Sequence, residues 1–108
     1  MTTRPSIVLL GSTGSVGQST LDVLSRHDSH SVFALTANDN VTLMLEQCAR
    51  WQPACAVMVD EGAGRKLREA MPAVSPRTRV LCGADALVEV VSEPGVDAVL
   101  AAIVGAAG

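Results

Sequence analysis

Aromatic residues are almost missing from this sequence, which has no tyrosine and only Phe33 and Trp51 among its 108 residues. Proteins that bind single-stranded nucleic acid use aromatic side chains as stacking platforms, so this class is disfavoured. Positive charge is also scarce, because eight scattered lysines and arginines face eleven acidic residues. Nucleic-acid-binding domains usually carry a basic patch. We therefore expect no nucleic-acid partner.

Cysteine is sparse as well. The three cysteines, Cys48, Cys55 and Cys82, include no C-x-x-C pair, which excludes a disulfide framework and a zinc-ligand spacing. Cys55 and Cys82 lie within or beside apolar stretches, where we expect them to behave as small buried hydrophobic residues. No apolar run approaches the ~20 residues of a membrane-spanning helix. The N-terminal residues also lack the pattern of a secretory signal, so we expect a cytoplasmic protein without a membrane partner.

Charged residues make up only 18% of the chain, against 48% hydrophobic residues. This composition is too apolar for intrinsic disorder, and the length allows one domain. Short apolar runs alternate with amphipathic segments throughout. The predicted strands are Ser6–Leu10, Ser31–Thr36, Ala54–Val59, Arg79–Cys82 and Asp97–Val104. The predicted helices are Ser15–Arg26, Val41–Trp51, a segment from Asp60 or Glu61 to about Met71, and Gly83–Val91, with a loop at Pro72–Arg77.

Strands that alternate with helices at this spacing predict βαβ units with right-handed crossovers. We therefore expect an α/β fold with a Rossmann-like, doubly wound parallel sheet. Ser15 and Asn40 are suitable caps for the first two helices. The last strand, which ends near Val104, is continuously apolar, as strands covered on both faces are. Because the sequence stops directly after it, we expect residues 1–108 to be an incomplete N-terminal domain of a longer chain.

The turn after the first strand carries three glycines in the string Gly11-Ser12-Thr13-Gly14-Ser15-Val16-Gly17. A diphosphate needs free backbone N–H donors, which the first turn of a helix supplies together with the positive end of its dipole. Glycine at the closest approach leaves room for the phosphates, and the last glycine lets the helix press against the sheet. The hydroxyl groups of Thr13 and Ser15 add donors. A strand before the glycines and a helix after them favour a dinucleotide site over a purely structural turn.

The second strand is followed by Asn38, Asp39 and Asn40. An acidic residue about 20 residues beyond the glycines commonly binds the ribose hydroxyls of NAD, which Asp39 could do. Asp39 could instead simply face solvent in a turn. The two asparagines and the free N–H groups of the following helix could receive the 2′-phosphate of NADP. The residues alone therefore leave NAD and NADP open.

Other candidate residues are weaker. His27 and His30 are expected in a polar loop beyond the first helix, as solvated side chains rather than a metal pair. The adjacent carboxylates Asp60 and Glu61 suit the start of a helix better than catalysis. We identify no catalytic residue and no metal ligand in this chain.

Three segments together resemble 1-deoxy-D-xylulose 5-phosphate reductoisomerases: L-L-G-S-T-G-S-V-G-Q-S-T-L-D-V-L at Leu9–Leu24, F-A-L-T-A-N-D-N-V at Phe33–Val41, and A-A-I-V-G-A-A-G at Ala101–Gly108. The resemblance implies an enzyme that converts 1-deoxy-D-xylulose 5-phosphate to 2-C-methyl-D-erythritol 4-phosphate in non-mevalonate isoprenoid biosynthesis. It further implies NADPH, a divalent Mg²⁺ or Mn²⁺ in the full-length enzyme, a phosphorylated sugar substrate and a homodimer.

By the same resemblance, the cofactor-binding residues would be Gly11, Thr13, Gly14, Ser15, Val16, Gly17, Asn38 and Asn40, with Ala102 and Ile103 nearby. Members of the family usually have glycine, a basic residue and asparagine after the second strand, and only Asn40 matches. Asp39 replaces an attraction to the 2′-phosphate with a repulsion, but we favour NADPH because the remaining match is strong. The metal ligands and the substrate-phosphate site would lie beyond Gly108, so we expect these residues alone to be inactive.

Two alternatives stay open at this point. The first is the N-terminal domain of another NAD(P)-dependent enzyme, a semialdehyde dehydrogenase or an extended short-chain dehydrogenase. Such enzymes begin with a similar strand and glycine turn, but they need a catalytic cysteine or a Tyr-x-x-x-Lys motif further on. The second alternative is a free-standing nucleotide-binding or regulatory module, against which the apolar last strand argues, because it would expose hydrophobic surface.

Overall fold

The computed structural model describes residues 4–27 and 30–102, which form a parallel sheet with helices on both faces. In chain order the elements are β1 (Ser6–Leu10), α1 (Ser15–His27), β2 (Ser31–Ala37), α2 (Val41–Trp51), β3 (Cys55–Met58), α3 (Glu61–Val74), β4 (Arg79–Cys82), α4 (Ala84–Val91) and β5 (Ala98–Ala101). The five described strands have the order β4-β3-β2-β1-β5, and all neighbours are parallel. The predicted α/β, doubly wound architecture is confirmed.

The two faces of the sheet carry different helices because side chains alternate along each strand. On one face Leu9 and Leu35 pack in a cluster with α1, α2 and α3, to which Leu21, Met44 and Leu67 contribute. On the other face Val8, Ala34 and Val57 pack against Ala86 and Val90 of α4. The chain builds outward from β1 to β4 and then returns through α4 to place β5 on the other side of β1. This reversal creates the position at which open α/β sheets bind ligands.

The third helix departs from the prediction. The prediction of a loop at Pro72–Arg77 was wrong at its start, because α3 continues through Pro72 to Val74. Proline interrupts helices by removing one N–H donor and crowding the preceding turn. Here the side chain of Met71 is buried and Val74 packs against the same core, and the Ser75 N–H donates to the Met71 carbonyl at 2.8 Å. Burial of these side chains therefore keeps the last turn helical despite the proline.

Smaller differences concern the ends of elements. His27 is the last residue of α1 rather than a loop residue, and Ser15 is the first residue of α1 rather than its cap. Asn40 caps α2 as predicted, because its side-chain oxygen accepts from the Leu43 N–H. We expected both faces of the last strand to be covered, but all four residues of β5 are exposed. Val104 and Ile103 lie outside the described residues. No helix in the described ranges is long and apolar enough to cross a membrane.

Candidate functional site

The glycine turn is tied to the end of the neighbouring strand. The N–H groups of Gly11 and Ser12 both donate to the Thr36 carbonyl, at 3.0 and 2.8 Å. The hydroxyl of Thr36 accepts a second contact from the Gly11 N–H at 3.1 Å. Gly11 has a φ of 78°, which side-chain-bearing residues rarely adopt. The chain therefore leaves β1 in a fixed direction that a residue other than glycine would strain.

Gly17 allows the close packing of the turn against α1. A Cβ atom at Gly17 would overlap the Gly11 carbonyl oxygen and lie 2.7 Å from the Ser12 Cα. By contrast, a Cβ at Gly14 would be 3.7 Å from the Gly11 oxygen, at ordinary contact distance, and Gly14 is exposed. The protein interior therefore requires glycine at position 17, whereas it leaves room for a side chain at position 14.

The first turn of α1 presents backbone donors. The Gln18 N–H donates to the Gly14 carbonyl at 2.9 Å, which begins the hydrogen bonding of the helix. The N–H groups of Ser15, Val16 and Gly17 come before it and, across the described residues, have no backbone acceptor. These are the free donors expected at a helix N-terminus. They lie at the positive end of the helix dipole, where an anion is favoured.

A cleft of about 380 Å³ opens beside these donors, at the carboxyl ends of β1, β2 and β5. It is lined by Gly11, Thr13, Gly14, Ser15, Ala37, Asn38 and Ala102. Of the residues predicted to bind the cofactor, Gly11, Thr13, Gly14, Ser15 and Asn38 thus share one cleft. Gly17 lies beneath the turn, and the exposed side chain of Val16 faces away along α1. Ala102, which was predicted to lie near the cofactor, lines the same cleft, and Ile103 lies outside the described part of the chain.

The segment after β2 is less open to a phosphate than the sequence predicts. The side-chain oxygen of Asn40 is used for capping, at 3.1 Å from the Leu43 nitrogen. The N–H groups of Val41 and Met44 donate to the Asp39 and Asn40 carbonyls. The bond from Met44 begins the hydrogen bonding of the helix, and of the three N–H groups of α2 before it, only that of Thr42 has no partner within the described residues. Most of the donors expected to receive a 2′-phosphate are therefore already bonded.

Acidic groups accompany this segment. Asp39 is exposed in the turn, and the Asp60 N–H donates to the Asn38 carbonyl at 3.0 Å, which brings the start of α3 beside it. The Asp60 carboxylate caps α3 by accepting from the Ala63 N–H at 2.8 Å, as predicted for this pair. The end of the cleft nearest α2 is therefore flanked by carboxylates rather than by a cation from the same turn.

Sequence reasoning missed the two glutamine side chains that hold the turn. The amide of Gln47 in α2 donates to the Ser12 carbonyl at 2.8 Å, and the amide of Gln18 donates to the Thr13 carbonyl at 3.0 Å. Glutamine in an amphipathic helix ordinarily indicates a solvated position. The signal that could have identified Gln47 is its place between Met44 and Cys48, on the apolar face of α2.

The remaining candidate residues form no second site. His27 ends α1 and His30 precedes β2, and no group of three metal-ligating side chains occurs in the part of the chain that the structure describes. Cys48 and Cys55 are buried, and burial raises the pKa of the Cys48 thiol to about 12. Cys82 is only half-buried, so it is less enclosed than predicted; the Arg68 guanidinium lies 3.7 Å from its sulfur.

Comparison with known proteins gives one consistent family. The sequence model of a family described as 1-deoxy-D-xylulose 5-phosphate reductoisomerase matches residues 7–108. A reductoisomerase of Aromatoleum aromaticum is 52% identical over 103 residues, which are 94% of this chain and 26% of the relative. The enzyme of Nitrosomonas europaea is 49% identical over 109 residues, covering all of this chain and 26% of the relative. The chain thus spans about a quarter of the length of the curated relatives it matches.

Solved structures agree with the sequence matches. A reductoisomerase from Zymomonas mobilis in complex with NADPH superimposes with a TM-score of 0.75 at 38% identity, over 83% of this chain and 24% of that chain. A reductoisomerase in complex with magnesium superimposes with a TM-score of 0.86 at 34% identity, over 98% of this chain and 26% of that chain. These matches disfavour the semialdehyde dehydrogenase, short-chain dehydrogenase and free-standing module that the sequence left open.

Proposed function

The chain belongs to the 1-deoxy-D-xylulose 5-phosphate reductoisomerase family, and we propose that residues 1–108 form the NADPH-binding part of such an enzyme. The observation that carries this proposal is the meeting of three features at one cleft. Free N–H groups lie at the N-terminus of α1, Gly14 leaves the opening of the cleft free of a side chain, and the strand order reverses there. Diphosphates of dinucleotides bind in such clefts in open α/β sheets.

The residues of the cleft fit the diphosphate of a dinucleotide in their chemistry. The N–H groups of Ser15, Val16 and Gly17 would donate to the diphosphate, and the helix dipole adds a favourable potential. The hydroxyls of Thr13 and Ser15 have no hydrogen-bond partner within the described ranges, so they remain available as further donors. Gly14 leaves space for close approach of the phosphates. Asn38, which also lines the cleft, would contact the adenosine ribose.

When bound, NADPH supplies the hydride for the reduction. The contribution of this chain would be to bind the diphosphate and ribose of the cofactor and so to hold the cofactor in one orientation. No catalytic acid or base is assigned to the described residues. We expect the 108 residues alone to bind cofactor without turning over substrate.

The properties of the whole enzyme form part of the same proposal. We expect the full-length protein to act on 1-deoxy-D-xylulose 5-phosphate, to use Mg²⁺ or Mn²⁺, and to form a homodimer, as the family resemblance implies. We also propose a cytoplasmic location. The three cysteines are free thiols, which is the usual state in a reducing compartment.

Calorimetric titration of the protein with NADPH tests the proposal, with amide hydrogen exchange used to locate the bound cofactor. We expect saturable binding that protects residues 11–17. Reduced nicotinamide mononucleotide is the matched control ligand, because it has the nicotinamide but lacks the diphosphate and adenosine. It should bind much more weakly and leave the turn unprotected. Absence of NADPH binding, or protection confined to another surface, would refute the proposal.

A further inference from the structure

Gln47 is a buried polar residue on the apolar face of α2. Its side chain is 8% exposed, and its neighbours Met44 and Cys48 on the same face are fully buried. Glutamine is mostly exposed in folded proteins, and a buried amide needs hydrogen-bond partners for both its nitrogen and its oxygen. The position therefore needs an explanation beyond helix amphipathicity.

The amide nitrogen of Gln47 finds its partner 35 positions earlier in the chain, at the Ser12 carbonyl, at 2.8 Å. Only the NH₂ group can donate to a carbonyl, so this contact fixes the orientation of the amide. The Ser12 N–H donates in turn to the Thr36 carbonyl at 2.8 Å. Ser12 is thus held from one side by the end of β2 and from the other by the middle of α2.

The hydrogen bond between Gln47 and Ser12 is a poor way to stabilise the fold. The Gln47 Oε1 and the Ser12 Oγ are buried and have no hydrogen-bond partner within the described residues. Unsatisfied buried polar atoms are costly, and an apolar pair of similar shape could be buried at less cost. The arrangement therefore fixes the Ser12 carbonyl at the expense of two unsatisfied atoms, which favours a geometric role over a stabilising one.

We propose that Gln47 is a positioning residue for the phosphate-binding turn, an inference that rests on the proposed function. The Ser12 carbonyl belongs to the peptide that leads into Thr13 and Gly14, which line the cleft. By holding that carbonyl, Gln47 sets the orientation of the turn before the cofactor arrives. Preorganisation of this kind lowers the entropy cost of binding. Because the same helix is capped by Asn40, beside the expected ribose site, Gln47 would also fix the distance between the two ends of the cleft.

The test is the substitution Gln47→Met in the full-length protein, because methionine keeps the shape and removes the amide. Gln52→Met is the matched control: the Gln52 amide donates to the carbonyls of Cys48, Ala49 and Val74, none of which belongs to the turn. We expect Gln47→Met to weaken NADPH binding about threefold to tenfold, the range for loss of one hydrogen bond. In the cofactor-free protein it should accelerate amide exchange at residues 11–17.

Gln52→Met should lower Tm without changing NADPH affinity or exchange in the turn. If Gln47→Met does not fold, Gln47→Asn serves instead, because its amide is one methylene too short to keep the contact. If amide exchange at residues 11–17 is the same in the cofactor-free Gln47 variant and the cofactor-free unaltered protein, the positioning role is overturned, whether or not NADPH binds. Failure of the unaltered protein to bind NADPH would instead refute the proposed function, so the two failures are distinguished.

Discussion

Gly17 packs so closely against the carbonyl oxygen of Gly11 that a Cβ atom at position 17 would overlap that oxygen. The contact joins the first turn of α1 to the residue that directly follows β1. Neither partner can move freely, because the Gly11 N–H is itself bonded to Thr36. The glycine at position 17 therefore supports the turn from below, and its replacement should act on the fold.

The first prediction is that Gly17→Ala destabilises the protein. Overpacking typically costs about 1–3 kcal/mol, and a Cβ here meets backbone atoms of Gly11 and Ser12, which cannot move aside cheaply. We therefore expect a cost in the upper part of that range, above the ~1 kcal/mol that alanine gains over glycine inside a helix. Thermal unfolding followed by circular dichroism should show a lower Tm. A Tm equal to that of the unaltered protein would mean that the turn can shift away from α1 at no cost.

The second prediction is that Gly14→Val leaves the fold stable but weakens NADPH binding. The valine Cβ has ordinary contact distance to the Gly11 oxygen and Gly14 is exposed, so we expect the fold to tolerate the change. The added methyl groups would occupy the cleft where the diphosphate approaches. We expect NADPH binding to weaken by about tenfold or more, as for loss of one charge-assisted hydrogen bond. Calorimetric titration measures this binding. Asn38→Ala, at the residue proposed to contact the ribose, should have a smaller effect.

The boundaries of these elements could be predicted where local signals decide them. Asn40 and Pro53 define α2, whose predicted range is the observed one, and the glycine turn lies where the sequence indicated. Pro72 misled the prediction, since only tertiary packing of Met71 and Val74 shows that α3 continues. Gln47 was missed for the same reason: its partner is distant in sequence, and no local pattern joins them.

Asp39 should limit the preference for NADPH over NADH. It is exposed just after β2, and two of the three N–H groups that open α2 before its first intrahelical bond are already bonded, so little on this turn offsets its charge. We predict that Asp39→Arg raises NADPH affinity at least tenfold relative to NADH, because two unit charges near a surface interact by about 1–4 kcal/mol before screening. Asp39→Asn removes only the repulsion and should give a smaller change in the same direction.

Paired titrations of the three proteins with NADPH and NADH provide the measurement. The rise in NADPH affinity relative to NADH that Asp39→Arg produces should decrease at high salt, because an exposed charge pair is screened. An unchanged ratio of the two dissociation constants in both variants would show that the 2′-phosphate does not approach Asp39.

The last prediction concerns alkaline stability. Cys48 is completely buried, and this burial raises the pKa of its thiol from 9.0 to about 12. Between these values the unfolded chain loses the thiol proton while the folded chain keeps it, so the free energy of unfolding should fall as pH rises. One group contributes at most about 1.4 kcal/mol per pH unit.

Below pH 9 the thiol is protonated in both states and adds no slope. Urea unfolding at several pH values should show this slope. Cys48→Ala should make the slope shallower, with a remainder from Cys55, whose pKa burial also raises, even though the smaller side chain lowers stability at neutral pH. An equal alkaline slope in both proteins would mean that other groups cause the loss.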